Sequence, residues 1–470
     1  MDINKHDIKR FLIKSSDLTK KKLFVEFYQP KYQFLFKKLH ECPYPLHSLK
    51  KLSNRMFDGP FGSNRKVDMY QDSGIPYIRV KDVLPSGIFL DQLKYISEEK
   101  HNELIRSRVV PGNILITIAG RLGTAAVFPE SLKEGNITGH IVGLELSKEI
   151  NPHYVATFIN SSLGEFQAIR LGHRTTRPEL NLSEVGEFII PVPPRHIQDC
   201  IAEIMQNAYV TKNYQLMKAN EILENIDGYI LDKSGIKLNK IIRKNHFLVS
   251  LSKLLGRRFD VESVCTEFNH SDYPNSSWLT LNEVATLPSN TKIPSRNPHE
   301  EYLYIGMTDV DELFGEVNIH NLLGKDIKGN KLVIKGNDVV FARIEPCIYN
   351  KKIALIPSDI IEALGSTELL IARAKSNILP SFLLWLLRSE LIQQQIAGKM
   401  TGTTGRRRLP DEVFASLKLP KISIDLQKLI VNELNRRCNE AKFLYTESEN
   451  LVNEAKARVE RMILGEEEVT

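Results

Sequence analysis

What this sequence lacks narrows its class first. Its five cysteines, Cys42, Cys200, Cys265, Cys347 and Cys438, are scattered, with no CxxC pair and no nearby histidine doublet. Neither a disulfide framework nor a zinc site is expected, and no cofactor. No apolar run approaches the roughly 20 residues of a membrane span. The longest, "LPSFLLWLL" (379–387), closes at Arg388. The lysines near the N-terminus are not followed by the apolar core of a secretory signal, so a cytoplasmic protein with no membrane partner is expected. There is no GxxxxGK[ST] phosphate loop, and the glycine clusters "AGRLG" (119–123) and "MTGTTG" (400–405) do not open a helix after a strand. Strong charge of one sign is also missing: a net +6 permits a polyanion partner without demanding one.

What is present is ordinary globular material of 470 residues, 42% hydrophobic and 26% charged, enough for two to four domains. Its informative feature is an internal duplication. "YIRVKDV" (77–83) returns as "YIGMTDV" (304–310), displaced by 227; "AAVFP" (125–129) returns as "IALIP" (353–357) and "NPHYVATFINS" (151–161) as "LPSFLLWLLRS" (379–389), both displaced by 228. Three matches in one order at nearly constant displacement indicate two diverged copies of one unit. Each copy reads as short strands, such as "GNILITIAG" (112–120) and "NDVVFARI" (337–344), then an apolar helix, a basic Gly/Thr loop and a long final helix. Ile197, Ile201, Ile204 and Ala208, then Ala219, Ile222, Ile226 and Tyr229, mark the first long helix. Ile430, Leu434, Cys438, Ala441 and Tyr445, then Val452, Ala455, Val459 and Met462, mark the second. These three- and four-residue steps are a coiled-coil pattern, and the economical partner for each helix is the other, antiparallel to it.

Several motifs carry a family resemblance. The duplication, the "DGPFGS" turn followed by "GIPYIRVKDV" (74–83), the approaches to the long helices "PVPPRHIQ" (191–198) and "LPKISIDLQ" (419–427), and "STELLIAR" (366–373) resemble the specificity subunit of type I restriction-modification systems. The resemblance runs from "FVEFYQPKY" (24–32) to the last helix. It implies an α+β chain with a pseudo-two-fold internal repeat: two mixed α/β target recognition domains at 1–194 and 236–424, joined by two long antiparallel coiled-coil helices at 195–235 and 425–464. It also implies that each domain reads half of a split double-stranded DNA site. The helices would set the gap and dock DNA methyltransferase subunits, through which restriction subunits join. Such a subunit is not an enzyme, and the absence of an Asn-Pro-Pro-Tyr type segment is compatible with that. Two other readings stay open: an interaction module on the same scaffold in another defence system without a methyltransferase partner, and a nuclease using Asp338, Glu345 and Lys351.

Candidate DNA-facing residues follow from chemistry and matched position. The basic loops "LGHRTTRPELN" (171–181) and "MTGTTGRRRLP" (400–410) follow equivalent helices. Their Arg174, Arg177, Arg406, Arg407 and Arg408 can pair with phosphates or fork onto guanine, and Thr175, Thr176, Thr403 and Thr404 can hydrogen-bond either. A solvated basic loop is the alternative. Arg79 and Lys81, with Thr308 at the second copy's equivalent of Lys81, end a repeated strand and read either as DNA contacts or as salt-bridge formers. Arg121 and Arg343 lie near the end of an apolar strand, and Glu345 offers Arg343 an internal acceptor. The turn "FDGPFGSN" (57–64) presents Gly59, Gly62, Ser63 and Asn64, then Arg65, as a recognition loop. The second copy has "LPSNTKIP" (287–294) in its place, without the glycines.

Overall fold

The computed structural model describes residues 25–60, 69–172, 178–238, 277–289, 291–292, 297–403 and 407–468. The chain divides into two compact units, one of Met1–Tyr214 with Glu447–Thr470, the other of Gln215–Thr446. Runs of branched apolar residues punctuated by glycine and asparagine give short strands. Ile114–Thr117 and Asp338–Ala342 are buried along their whole length, the mark of strands covered on both faces.

The first unit holds two four-stranded sheets. One is antiparallel, in the order Ser53–Asp58, Ile141–Leu146, Ile114–Thr117, Ala125–Val127. The other runs Lys94–Ile96, Ile75–Ile78, Gly135–Ile137, Arg108–Val109, with its central pair parallel and Tyr77 opposite Asn136. The second unit repeats this. Its antiparallel sheet is Ala285–Thr286, Leu369–Ala374, Asp338–Ala342, Ile353–Leu355. Its other sheet is His320–Leu323, Glu301–Ile305, Ala363–Gly365, Lys331–Ile334, again with the central pair parallel and Tyr304 opposite Leu364; an extra strand, Thr291–Lys292, lies at its edge. Strand order, sense and register of the parallel pair all recur, so the duplication read from the sequence is a duplication of fold.

Buried glutamines hold equivalent joints in both units. Gln167 donates to the Ile189 carbonyl (2.9 Å) and accepts from its N–H (2.7 Å); Gln395 does the same to Lys418 (2.8 and 2.7 Å). Gln198 accepts from the Asn151 N–H (2.9 Å) at the start of one apolar helix, and Gln427 accepts from the Leu379 N–H (2.8 Å) at the start of the other. Each side-chain amide satisfies backbone groups that would otherwise be orphaned in the interior.

Two long helices, Arg195–Lys233 and Ile424–Leu464, complete the architecture. At 1.5 Å per residue the first extends about 58 Å. In the first unit Ile201, Met205 and Ala208 of the first helix share a core with Val452, Val459, Met462 and Ile463 of the second. In the second unit Ile226 and Ile230 share a core with Ile430, Val431, Leu434 and Cys438. Within that unit Asn220 accepts from the Tyr445 hydroxyl and the Asn225 carbonyl accepts from Arg437 (3.3 Å), so the numbers rise on one helix as they fall on the other. The pair is antiparallel. Gln395→Leu is expected to orphan both backbone groups of Lys418, at about 1–3 kcal/mol each; chemical denaturation of the full chain measures the loss.

Candidate nucleic-acid interface

Three backbone hydrogen bonds gather distant segments at one end of the sheets, and the same three occur in each unit. In the first, the N–H of Thr138 donates to Ile78 (3.0 Å), that of Ile118 to His140 (2.9 Å) and that of Leu180 to Ile118 (2.9 Å). In the second, Ser366 donates to Ile305 (3.0 Å), Arg343 to Glu368 (3.0 Å) and Leu409 to Arg343 (2.9 Å). The strand-end turns, the loop after the buried central strand and the segment that follows the basic Gly/Thr loop are thus stitched together. Candidates far apart in the chain, Arg79, Lys81 and Arg121 in one unit and Thr308, Arg343, Arg407 and Arg408 in the other, lie on these stitched segments.

Gly59 belongs to this end as a packing residue. It is buried, its N–H donates to Ile141 (3.3 Å), and a Cβ there would stand 2.3 Å from the Thr138 carbonyl carbon. The close approach that requires glycine is to the protein's own backbone. Gly62, Ser63, Asn64, Arg65, Arg174, Thr175, Thr176, Arg177, Thr404 and Arg406 lie outside the described residues.

Arg79 forks onto Asp82 (2.8 and 2.9 Å), whose carboxylate is fully buried, and donates to the Gln92 carbonyl (2.5 Å). Asp82 also accepts from the Arg79 N–H (2.9 Å), and Asp309 accepts equivalently from the Gly306 N–H (2.6 Å). The aspartate of "YIRVKDV" and "YIGMTDV" is therefore the shared turn-former, and Arg79 is held beside it. Lys81 and Thr308, at equivalent positions, are exposed, as is Thr403. Arg121 is exposed on a turn flanked by Gly120 (φ 76°) and Gly123 (φ 78°). At Gly123 an added Cβ would also lie 2.5 Å from that of Ala168.

Among the described residues, the second unit's candidate arginines Arg343, Arg407 and Arg408 have acidic partners within the unit. Arg407 forks onto Glu345 (2.7 and 2.5 Å) and Arg408 onto Glu368 (2.8 and 2.6 Å). Arg343 pairs with Asp411 and donates to the Leu409 carbonyl (3.1 Å), while its Nε is buried without a hydrogen-bond partner. Glu345, the expected acceptor for Arg343, is instead taken by Arg407, because Arg407 and Glu345 are joined through the backbone as well (Glu345 N–H to Arg407 carbonyl, 2.9 Å). The hydrogen bond from Arg408 holds the Glu368 carboxyl below its ordinary value and raises Arg408 in turn. The Asp338, Glu345, Lys351 set is dispersed: Asp338 is buried against Arg373 (2.7 Å) and Lys351 reaches Asp227 (2.7 Å). Among the described residues no cluster of three or more His, Cys, Asp or Glu could hold a metal, and no helix is long and apolar enough to cross a membrane.

Residues 62–233 match the model of the Type I restriction modification DNA specificity domain. The specificity subunit of the type I restriction enzyme EcoAI from Escherichia coli is 28% identical over 158 residues, 33% of this chain and 26% of that protein. The EcoBI specificity subunit, also from Escherichia coli, is 24% identical over 156 residues, 33% of each chain. The alignments span only a quarter to a third of these relatives. The S subunit of a type I restriction-modification system from M. genitalium is 13% identical, with a TM-score of 0.44 over 89% of this chain and 96% of that one, too low to argue from. The family resemblance read from the sequence is borne out by the domain match and the two relatives.

The Arg408–Glu368 pair has a pH signature. Because the folded carboxyl sits below its ordinary value of 4.5, the pair's stabilisation is complete above that value and is lost as pH falls through the depressed one. Thermal midpoints of the natural chain and of Glu368→Gln are expected to differ at neutral pH and to converge on acidification below 4.5.

Proposed function

We propose that this chain, which carries a type I restriction-modification DNA specificity domain at residues 62–233, is the sequence-reading subunit of such a system. Its two units are the target recognition domains, assigned to 1–194 and 236–424, and each reads one half of a split duplex site. The helices, assigned to 195–235 and 425–464, set the gap between half-sites and dock methyltransferase subunits, with restriction subunits joining through those. The chain itself performs no catalysis; methylation and cleavage belong to the partners, in the cytoplasm. The observation that supports this reading is the stitched end that occurs twice, each time joining the segment after a basic Gly/Thr sequence to the end of the buried central strand, at Ile118 just before Arg121 or at Arg343 itself. A duplicated basic rim suits a ligand with two related features, and duplex DNA offers phosphates and groove edges that recur every turn of about 34 Å.

The chemistry divides by residue. Lys81, Arg121, Arg174 and the threonines at 175, 176, 308, 403 and 404 suit phosphate contacts, which position the protein and make affinity fall with salt. Arg177 and Arg406, each in a loop rich in small polar residues, suit bidentate contact with a guanine edge. Arg407 and Arg408 start from carboxylate partners, so DNA contact there requires exchange of one anion for another.

Coexpression with the neighbouring genes is the test. A methyltransferase should copurify, and methylation-sensitive sequencing should show adenines modified within one two-part motif. Recovery of the chain alone, with no new methylation, removes the restriction-modification assignment and favours the interaction-module reading. In the assembled complex, Arg177→Ala and Arg406→Ala should each relax one half of the motif at about 1–3 kcal/mol per lost base contact and leave the other half intact. Glu368→Gln should raise affinity for DNA of any sequence and steepen its salt dependence, measured by titration at several salt concentrations.

A further inference from the structure

The first unit contains a cleft of about 420 Å³ between the turn Pro85–Gly87, the edge strand Ala125–Val127, the helix Pro152–Ile159 and both long helices. The internal repeat identifies what fills the same place in the second unit. There the turn is two residues longer, "DELFGE" (311–316) against "LPSG" (84–87). Phe314 packs edge-on against Tyr445 (centroids 5.8 Å apart), with the Lys442 ammonium 5.2 Å from its ring centre. Lys442 also pairs with Glu316. Beneath the turn stand Leu384, against Gly315, and Arg388, whose guanidinium donates to the carbonyls of Glu312 and Leu313 (both 2.8 Å) and lies 5.6 Å from the ring centre of the buried Trp385.

In the first unit every one of these positions is smaller: Ala156 stands for Leu384, Thr157 for Trp385 and Asn160 for Arg388. Asn160 and Arg388 keep one shared task, each donating to the carbonyl of the equivalent strand residue, Ala125 (2.7 Å) or Ile353 (2.8 Å). What differs is bulk, together with the inserted Leu-Phe. Lys456 is the sole Lys, Arg, Asp or Glu among the residues lining the cleft, and Val210 at its rim is 68% exposed. His153 in the wall is held toward its neutral form by burial.

We propose that this cleft is a socket for an aromatic side chain carried on an acidic segment of a partner protein. The second unit supplies that group itself, as Phe314 flanked by Asp311, Glu312 and Glu316; among the described residues the first unit keeps the walls and a cation, and its equivalent turn, "LPSG" (84–87), carries no ring. The lone positive charge among the lining residues complements an acidic segment, and the apolar walls left by Ala156 and Thr157 accept a ring.

The test uses the full-length chain and a defined probe, the acetylated and amidated hexapeptide of residues 311–316 with 4-fluorophenylalanine at position 314, observed by fluorine NMR. Saturable binding with Kd of about 1 mM or tighter is expected. Thr157→Trp, which restores the second unit's residue, should abolish it, and Lys456→Glu should weaken it about tenfold or more. An unlabelled peptide with Ala for Phe should not displace the labelled one. Because Lys456→Glu is a rim change, it decides the question even if Thr157→Trp fails to fold. No saturable binding, binding indifferent to both substitutions, or equal binding of a peptide with Asn and Gln for its acids would overturn the proposal. So would a dimer of this chain that the peptide dissolves, since the occupant would then be a second copy.

Discussion

Both cores depend on the seam between the two long helices. Neither unit is closed by its sheets alone: one needs Ile201, Met205 and Ala208 against Val452, Val459 and Met462, the other Ile226 and Ile230 against Ile430, Leu434 and Cys438. At about 1.5–3 kcal/mol for each large apolar side chain withdrawn from water, the seam is a major share of what holds each unit closed. Isolated helices gain little from propensity by comparison. Each long helix thus supplies core residues to both units.

The two rims differ in how their charge is held. Bidentate pairs in the second unit fix two guanidinium groups, those of Arg407 and Arg408, and a fixed fork loses less freedom when it meets a planar acceptor. Such an arginine must also release a carboxylate before it takes another anion, which penalises weak, indiscriminate contact more than a well-matched one. In the first unit Arg121 projects from a glycine turn and is exposed. On the same backbone frame, the described candidate arginines are thus carboxylate-paired in the second unit, whereas Arg121 is exposed in the first.

Much of the frame was legible in the chain itself. The strand and helix repeats survive because buried positions such as Ile116 and Phe341, or Tyr154 and Phe382, must stay apolar whatever else drifts. The helix seam was legible through its three- and four-residue steps, and Ile201, Ile226, Leu434 and Met462 are indeed buried. The glutamines of "RHIQ" and "IDLQ" were in plain view, yet their task was not, since a buried amide leaves no periodic trace. Sheet order was illegible for a similar reason: the parallel pairing of Ile75–Ile78 with Gly135–Ile137 joins strands far apart in sequence. The ion pairs were the hardest to foresee. Arg408 and Glu368, or Arg343 and Asp411, come from separate loops, and only the backbone stitch decides which carboxylate meets which arginine. Gly59 looked like a loop glycine because its real neighbour, Thr138, is contributed by another segment.

The composition of the first unit has a consequence for the order in which the molecule comes into being. Its core waits for residues from Glu447 onward, whereas Gln215–Thr446 is one uninterrupted stretch. At ribosomal speeds of about 5–20 residues per second, the roughly 230 residues between Tyr214 and Glu447 take on the order of 10–50 s to emerge. During that interval the apolar faces of Ile201, Met205 and Ala208 lack their helical counterpart, and the half of the protein that is made first is the half that can close last.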